Sequence, residues 1–290
     1  MSKLHVRLGR ATDGRDPLVI TPESAGWTYA GLEVIQLGPG EAREIAIEGV
    51  ELAVVPLRGG ARVAADGHVI DLAGRPSVFA AVTDLAYVPL DSALTVSSAE
   101  GAELALATAR ATRRFEAAYI PVSDVPVEVR GAGRATRQVN DLLAPGSFTA
   151  ADKLCVVEVL TPDGNWSSYP PHKHDTASEH EVVNEEIYYF RVAGRDGVTP
   201  DREGFGVHRT YTPDGELDET VTVRDGDAFL VPRGFHGPSI AAPGHHLYYL
   251  NVLAGPGAER SMAFCDDPAH HWIRESWADQ PVDPRCPLTR

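Results

Sequence analysis

The sequence predicts an all-β fold built from two copies of one sandwich or barrel unit, and three observations lead there. Short runs of β-forming residues recur between turn signals along the chain, 27 Gly and 22 Pro punctuate its 290 residues, and long helical periodicity is missing from both halves. In the first half the runs are "LEVIQLGPG" (32–40), "ELAVVPLRGG" (51–60), "HVIDLAG" (68–74) and "LAYVPLDSALTVSS" (85–98). The rhythm returns in "KLCVVEVLTPDG" (153–164), "EEIYYFRVAG" (185–194), "ETVTVRDGDAFLVPRG" (219–234) and "HHLYYLNVLAG" (245–255). Three pairs of segments correspond in order. "LEVIQLGPGE" parallels "CVVEVLTPDGN", "VELAVVPLRGG" parallels "EEIYYFRVAGR", and "LAYVPLDSA" parallels "AFLVPRGFH", as expected of a duplicated β unit. The boundary falls near residue 125, giving domains 1–125 and 126–290. The stretch "VPVEVRGAGRATRQVNDLLAPGS" (125–147) then reads as a structured connection at the start of the second.

Composition narrows the function. Hydrophobic residues make up 43% and charged residues 23%, ordinary values for a globular protein with a sizeable core. A formal net charge of -15 argues against nucleic acid, whose affinity comes from lysine and arginine releasing counterions. It is no obstacle to a small anion held by a local arginine cluster. The opening "MSKLHVRLGR" lacks the apolar stretch of a signal peptide, and no run reaches the roughly 18 apolar residues of a membrane span, so a cytoplasmic location without membrane partners is expected. Cys155, Cys265 and Cys286 are widely spaced and odd in number, which suits reduced structural thiols better than a disulfide framework. Exposed barrel edges favour a homo-oligomer.

Nine of the eleven histidines follow residue 170, so any histidine chemistry belongs to the second copy. In "SSYPPHKHD" (167–175), His172 and His174 sit two apart and on a strand point to one face. Lys173, between them, points away. In "NEEIYYFRV" (184–192), Glu186 shares a face with Tyr188 and Phe190, and Glu185 turns the other way. "GDAFLVPRGFH" (226–236) brings a Pro and Gly turn to His236. Three histidines and a carboxylate suit one divalent ion such as Zn(II), with Mn(II), Fe(II), Ni(II) or Co(II) as alternatives. Aligning Pro89 with Pro232 puts Ala93 opposite His236, and aligning Gly40 with Gly164 puts "AIEGV" (46–50), without a histidine, opposite "PPHKH", so the first copy has no such site. His68 falls at an apparent hairpin turn and is expected to be exposed. Tyr249 and Asn251 share a strand face and are candidates to line the cavity. Arg137, with Arg130 and Arg134, is a candidate clamp for a carboxylate, which guanidinium pairs bidentately. His245 and His246 are surplus to the metal, and His270 and His271, beside Trp272, are candidates to cap the barrel mouth.

These motifs resemble the cupin superfamily, with its His-x-His pair, Glu and Gly…Pro-x-Gly…His run. The resemblance implies a bicupin of two double-stranded β-helix (jelly-roll) barrels, with His172, His174, Glu186 and His236 as ligands. The choice of Glu186 over Glu185 rests on strand parity and this likeness together. The sequence departs from the pattern by a Glu twelve positions after the second His and by one residue rather than two between Gly234 and His236. Taken together, "SSYPPHKHD", "EEIYYFRV", "GFG" (204–206), "YYLNVLAGP" (248–256) and "DDPAHHWIRESW" (266–277) look like the 5-deoxyglucuronate isomerases of myo-inositol catabolism, relatives of the 4-deoxy-uronate ketol-isomerases. That likeness implies an aldose-to-ketose conversion of 5-deoxy-D-glucuronate to 5-dehydro-2-deoxy-D-gluconate through an enediolate stabilised by the metal. Tyr188 and Glu186 are then the catalytic candidates. The base is open between a metal-bound hydroxide, Tyr188, and a nearby histidine or carboxylate. A cupin dioxygenase and a non-catalytic sugar-acid-binding cupin are the competing readings.

Overall fold

A computed structural model describes residues 3–290, so Met1 and Ser2 of the opening segment lie outside it. The described chain is β-rich, with one four-residue α-helix at Pro22–Ala25 and short 3-10 turns. No helix among the described residues is long and apolar enough to cross a membrane.

Two large sheets carry the duplication. One runs Ala118–Ile120, Leu85–Val88, Val50–Ala65, Ala102–Arg110, Ala30–Leu37, Leu18–Ile20. The other runs His5–Val6, Ala228–Val231, Glu185–Val192, Leu247–Ala254, Cys155–Thr161, Arg137–Asn140, Val127–Arg130. The first six strands match position for position. One exchange is built into that match: the first strand of the chain, His5–Val6, pairs with Ala228–Val231 of the second half. A smaller sheet closes the second barrel with Asp218–Val223, Gly206–Tyr211, Phe235–Ala241, His172–Lys173 and Cys265–Asp266.

The structure shifts one of the sequence parallels by a residue. Leu52 pairs with Val88 and Glu186 with Val231, and each valine precedes the aligned proline, so Leu52 rather than Glu51 stands where Glu186 stands. Glu51 corresponds to Glu185, and both face away from their own barrel's interior. Glu51 accepts the backbone N–H groups of Asp152, Lys153 and Leu154 at 2.8, 2.6 and 2.7 Å. Glu185 accepts those of Thr28, Tyr29 and Ala30 at 2.7, 2.7 and 2.9 Å. Period-2 alternation alone, read without register, misses this offset.

Three differences from the sequence expectation concern strand limits. Val50–Ala65 is continuous through "PLRGG", with a register shift between Pro56 and Arg58 and another between Gly59 and Ala61. His68 is exposed, as its place suggests, but opens the strand His68–Arg75, the turn itself being Asp66 and Gly67. The Gly- and Arg-rich connection forms a hairpin, Val127–Arg130 with Arg137–Asn140, at the edge of the second sheet.

The outer faces of the large sheets pack on each other through Leu32, Val55, Tyr87, Leu160, Tyr189 and Leu250 among others. Burying this surface is the main stabilising force between the barrels. The interior of the first barrel is filled by Ile35, Leu52, Val63, Leu72, Val96 and Leu104, which leaves no room for polar chemistry. Between the barrels Arg75 pairs with Glu158, both side chains wholly buried. Glu158 also accepts from Tyr248 Oη at 2.7 Å and Asn140 Nδ2 at 3.1 Å. Replacing Arg75 with Ala leaves this carboxylate buried and uncompensated, and is expected to cost about 3–5 kcal/mol. Chemical denaturation of the variant measures it, and a cost below about 1 kcal/mol would show that the pair adds little over its packing.

Candidate metal centre and substrate cavity

The "HKHD" segment is braced before it reaches the barrel interior. His172 pairs in register with His236 on one side and Asp266 on the other. Lys173 turns away, bonding Asp175 Oδ1 at 2.7 Å and Glu181 at 2.8 Å. Asp175 Oδ2 accepts the Gly234 N–H at 2.7 Å, which ties this segment to the turn that delivers His236. That lock accounts for the acid that closes "HKHD".

His174, Glu186 and His236, all buried, place one ligand atom each within 4.8 Å of one another. Nδ1 of His174 donates to the Asn184 carbonyl at 3.0 Å, leaving Nε2 directed at Glu186 Oε2, 2.9 Å away. Nε2 of His236 lies 3.0 Å from the same oxygen, yet is buried without a hydrogen-bond partner. A cation between this nitrogen and the carboxylate oxygen would satisfy both. Ligand atoms about 2.1 Å from one ion and at right angles stand about 3 Å apart, so the donor set fits a divalent metal. His172 stands beside this group, its ring 4.4 Å from His236 and 4.7 Å from Phe264, and is not part of the tight cluster. Its Nδ1 faces the Pro170 carbonyl at 3.4 Å.

Burial pushes the Glu186 carboxyl up, but His236 and His174 outweigh it and hold the group well below the usual carboxylate range. Burial, reinforced by Glu186, pushes the Tyr188 phenol well above its ordinary value, so it keeps its proton at neutral pH. Ser168 Oγ lies 3.1 Å from Tyr188 Oη and 3.0 Å from Tyr249 Oη, joining the two phenols. Ser168 has φ +46°, and its carbonyl lies against Gly237, where a Cβ would come within 1.8 Å. Glycine beside His236 is therefore required to seat Ser168. Asn251, the register partner of Tyr188, buries Nδ2 with no hydrogen-bond partner.

One cavity of about 680 Å³ holds His172, His174, Glu186, Tyr188, Tyr249 and Asn251, and Arg137 lines it as well. Arg137 is 9% exposed, donates Nη1 to the Ala135 carbonyl at 3.1 Å and lies 5.5 Å over the Trp277 ring. Desolvation draws its pKa down to about 10, and no carboxylate pairs with it among the described residues. Arg130 lines the same cavity but is paired with Glu128 at 2.7 Å, and Arg134 lines a separate cleft with Trp166 and Tyr169.

Sequence reasoning missed several lining groups. Phe264, Arg274 and Trp277 return from the tail to wall the cavity, with Arg274 held by Asp266 at 2.8 Å. His208 is buried beneath the site, 4.8 Å from the Tyr188 ring, and its Nδ1 is 2.8 Å from Ser239 Oγ. Desolvation lowers it to about 3, keeping it neutral. Alternation in "GVHRTY" was the signal that points His208 inward. The surplus histidines lie elsewhere. His245 Nδ1 faces the Ala193 carbonyl at 2.8 Å, His246 accepts from the Asp163 N–H at 3.0 Å, and His271 bonds Asp266 at 2.7 Å. His270 sits 6.1 Å from the Tyr169 ring, and neither it nor His271 lines the main cavity.

Two stacked barrels, one packed solid and the other opened around a buried His/Glu group, define a bicupin, and oxalate decarboxylase from Bacillus subtilis shares the fold. A structure of that enzyme, described for its Mn(II) centres, superposes with a TM-score of 0.62 at 14% identity over 92% of this chain and 80% of its own. Far greater likeness appears to an IolB-like protein from Salmonella typhimurium, with a TM-score of 0.85 and 34% identity over 94% of this chain and 99% of that one. A protein named 5-deoxy-glucuronate isomerase from Geobacillus kaustophilus is 40% identical over 279 residues, covering 95% of this chain and 97% of its own. The model of the KduI/IolB family matches residues 4–273, and the chain belongs to that family.

Proposed function

We propose that the protein is a cytoplasmic aldose-ketose isomerase of myo-inositol catabolism that converts 5-deoxy-D-glucuronate to 5-dehydro-2-deoxy-D-gluconate. One observation carries the reading: a buried metal-ligand group and a buried guanidinium without a carboxylate share one cavity, on a chain closely related to proteins named for this reaction. A uronate brings a carbonyl for the first and a carboxylate for the second. We assign one divalent ion per chain, Zn(II) first, to His174, Glu186 and His236 with His172 as the fourth ligand. When bound, it supplies an electrophile for the carbonyl oxygen and its neighbour.

The chain's own groups do the rest. Arg137 takes the carboxylate and fixes the substrate lengthwise. Three hydroxyls, Tyr249, Ser168 and Tyr188, are joined by two hydrogen bonds, which leaves one of their three protons uncommitted. A chain that donates from Tyr249 to Ser168 and from Ser168 to Tyr188 points that proton from Tyr188 Oη into the site. Tyr188 then gives a proton to the substrate's O1 and recovers one from its O2 hydroxyl, while the C2 hydrogen moves to C1. Asn251 Nδ2 offers a second donor. The division at residues 125 and 126 belongs to the same proposal, supported by sheets that end at Ile120 and resume at Val127. A homo-oligomer formed through edges such as Val127–Arg130 also belongs to it, and sedimentation tests that part.

Tag-free, metal-loaded protein incubated with 5-deoxy-D-glucuronate in deuterated water is expected to yield the ketose with deuterium at C1 and no oxygen uptake. Oxygen consumption would replace the isomerase with a dioxygenase. Binding without conversion would leave a sugar-acid-binding cupin.

A further inference from the structure

Four neighbouring strands of the second barrel present different chemistry to the cavity. Glu185–Val192 offers Glu186 and Tyr188, Leu247–Ala254 offers Tyr249 and Asn251, Cys155–Thr161 offers Val157 and Val159, and Arg137–Asn140 offers Arg137 and Val139. The registers align these groups. Tyr188, Asn251 and Val157 form one row, and Tyr249, Val159 and Val139 lie in the next. Crossing the sheet from the metal group thus passes polar hydroxyl and amide groups, then methyl groups alone, then a guanidinium.

An open-chain 5-deoxyhexuronate carries the same sequence of chemistry. Its aldehyde and C2 oxygen come first, the C3 and C4 hydroxyls next, then a methylene at C5, and finally the carboxylate. We propose that this sheet reads the substrate end to end, and that Val157 and Val159 are specificity-determining residues that select a carbon without a hydroxyl next to the carboxylate. The assignment rests on the isomerase reading above.

The physical basis is desolvation. Val157 and Val159 are 6% and 7% exposed, and neither offers a polar atom to a hydroxyl pressed against it. A hydroxyl at C5 would leave water without gaining a partner. An apolar wall of this kind discriminates against a hydroxyl by up to about 10²-fold.

The test compares kcat/KM for 5-deoxy-D-glucuronate and D-glucuronate, which differ at C5. D-glucuronate also closes into a pyranose ring through its C5 oxygen, which the deoxy compound lacks. That difference belongs to the substrates and is the same for every enzyme, so it cancels when variants are compared with wild type. Val157→Thr and Val159→Thr give the C5 hydroxyl a partner. At least one is expected to narrow the preference for the deoxy compound by about tenfold, through a gain on D-glucuronate. A change below about tenfold in both variants, each folded and metal-loaded, overturns the assignment. Should threonine impair folding, Val157→Ala and Val159→Ala make room for a water to partner the hydroxyl, and the same threshold applies. Wild type that leaves 5-deoxy-D-glucuronate unconverted overturns the isomerase reading itself, whereas active wild type with unmoved ratios overturns only the role of the valines.

Discussion

Glu186→Gln and His174→Ala are each expected to lower bound metal from near one ion per chain toward none, and to reduce turnover at least about 10²-fold. The cause is the geometry of one oxygen: Glu186 Oε2 lies 2.9 Å from His174 Nε2 and 3.0 Å from His236 Nε2, so it sits where a shared ion needs a negative ligand. Glu185→Gln supplies the contrast. Its carboxylate accepts three N–H groups from the first half, so the variant is expected to keep its metal while losing about 1–3 kcal/mol of stability. Metal analysis and denaturation on the same preparations read both quantities. Metal lost from Glu185→Gln but retained in Glu186→Gln would refute the assignment of faces.

Removing the guanidinium is the second large effect. Arg137→Ala is expected to lower kcat/KM for the uronate by about 2–4 kcal/mol, as when a desolvated carboxylate loses its charged partner. A substrate analogue without the carboxylate should lose little, and an equal loss for both would make Arg137 a packing residue. The pH dependence follows from burial. Desolvation draws the Arg137 pKa down to about 10, and binding an anion needs the charged form, so KM should be flat at neutral pH and rise as pH passes about 10.

The parts of this architecture legible in the sequence are those fixed by local alternation. Parity and the family likeness together separated Glu186 from Glu185, and the His-x-His spacing put two imidazoles on one side, because a strand repeats every two residues. The Pro and Gly turn marked the approach of His236. Groups brought in by chain return were only partly legible: the histidines placed the tail at the barrel mouth, but Arg274 and Trp277, which line the cavity, carry no signal of their own. Arg137 was picked out by chemistry rather than pattern, since glycines at 131 and 133 hid the hairpin that carries it. His208 is marked by the alternation of its strand alone, with no chemical motif beside it. The one-residue offset between the copies escaped because it is set by cross-strand pairing, and a single strand read alone contains no register.

Glu51 and Glu185 repeat one device in opposite directions, each reaching out of its own half to gather three amides of the other. The halves are latched like clasped hands, and neither grip survives if one partner is taken away. In the second half the grip lies one residue from Glu186, on the same strand, so the position of the proposed metal ligand is set partly by Thr28, Tyr29 and Ala30 of the first copy. The silent copy is thus a splint for the working one, and a shortened enzyme made from the second half alone would begin with its ligand strand unbraced.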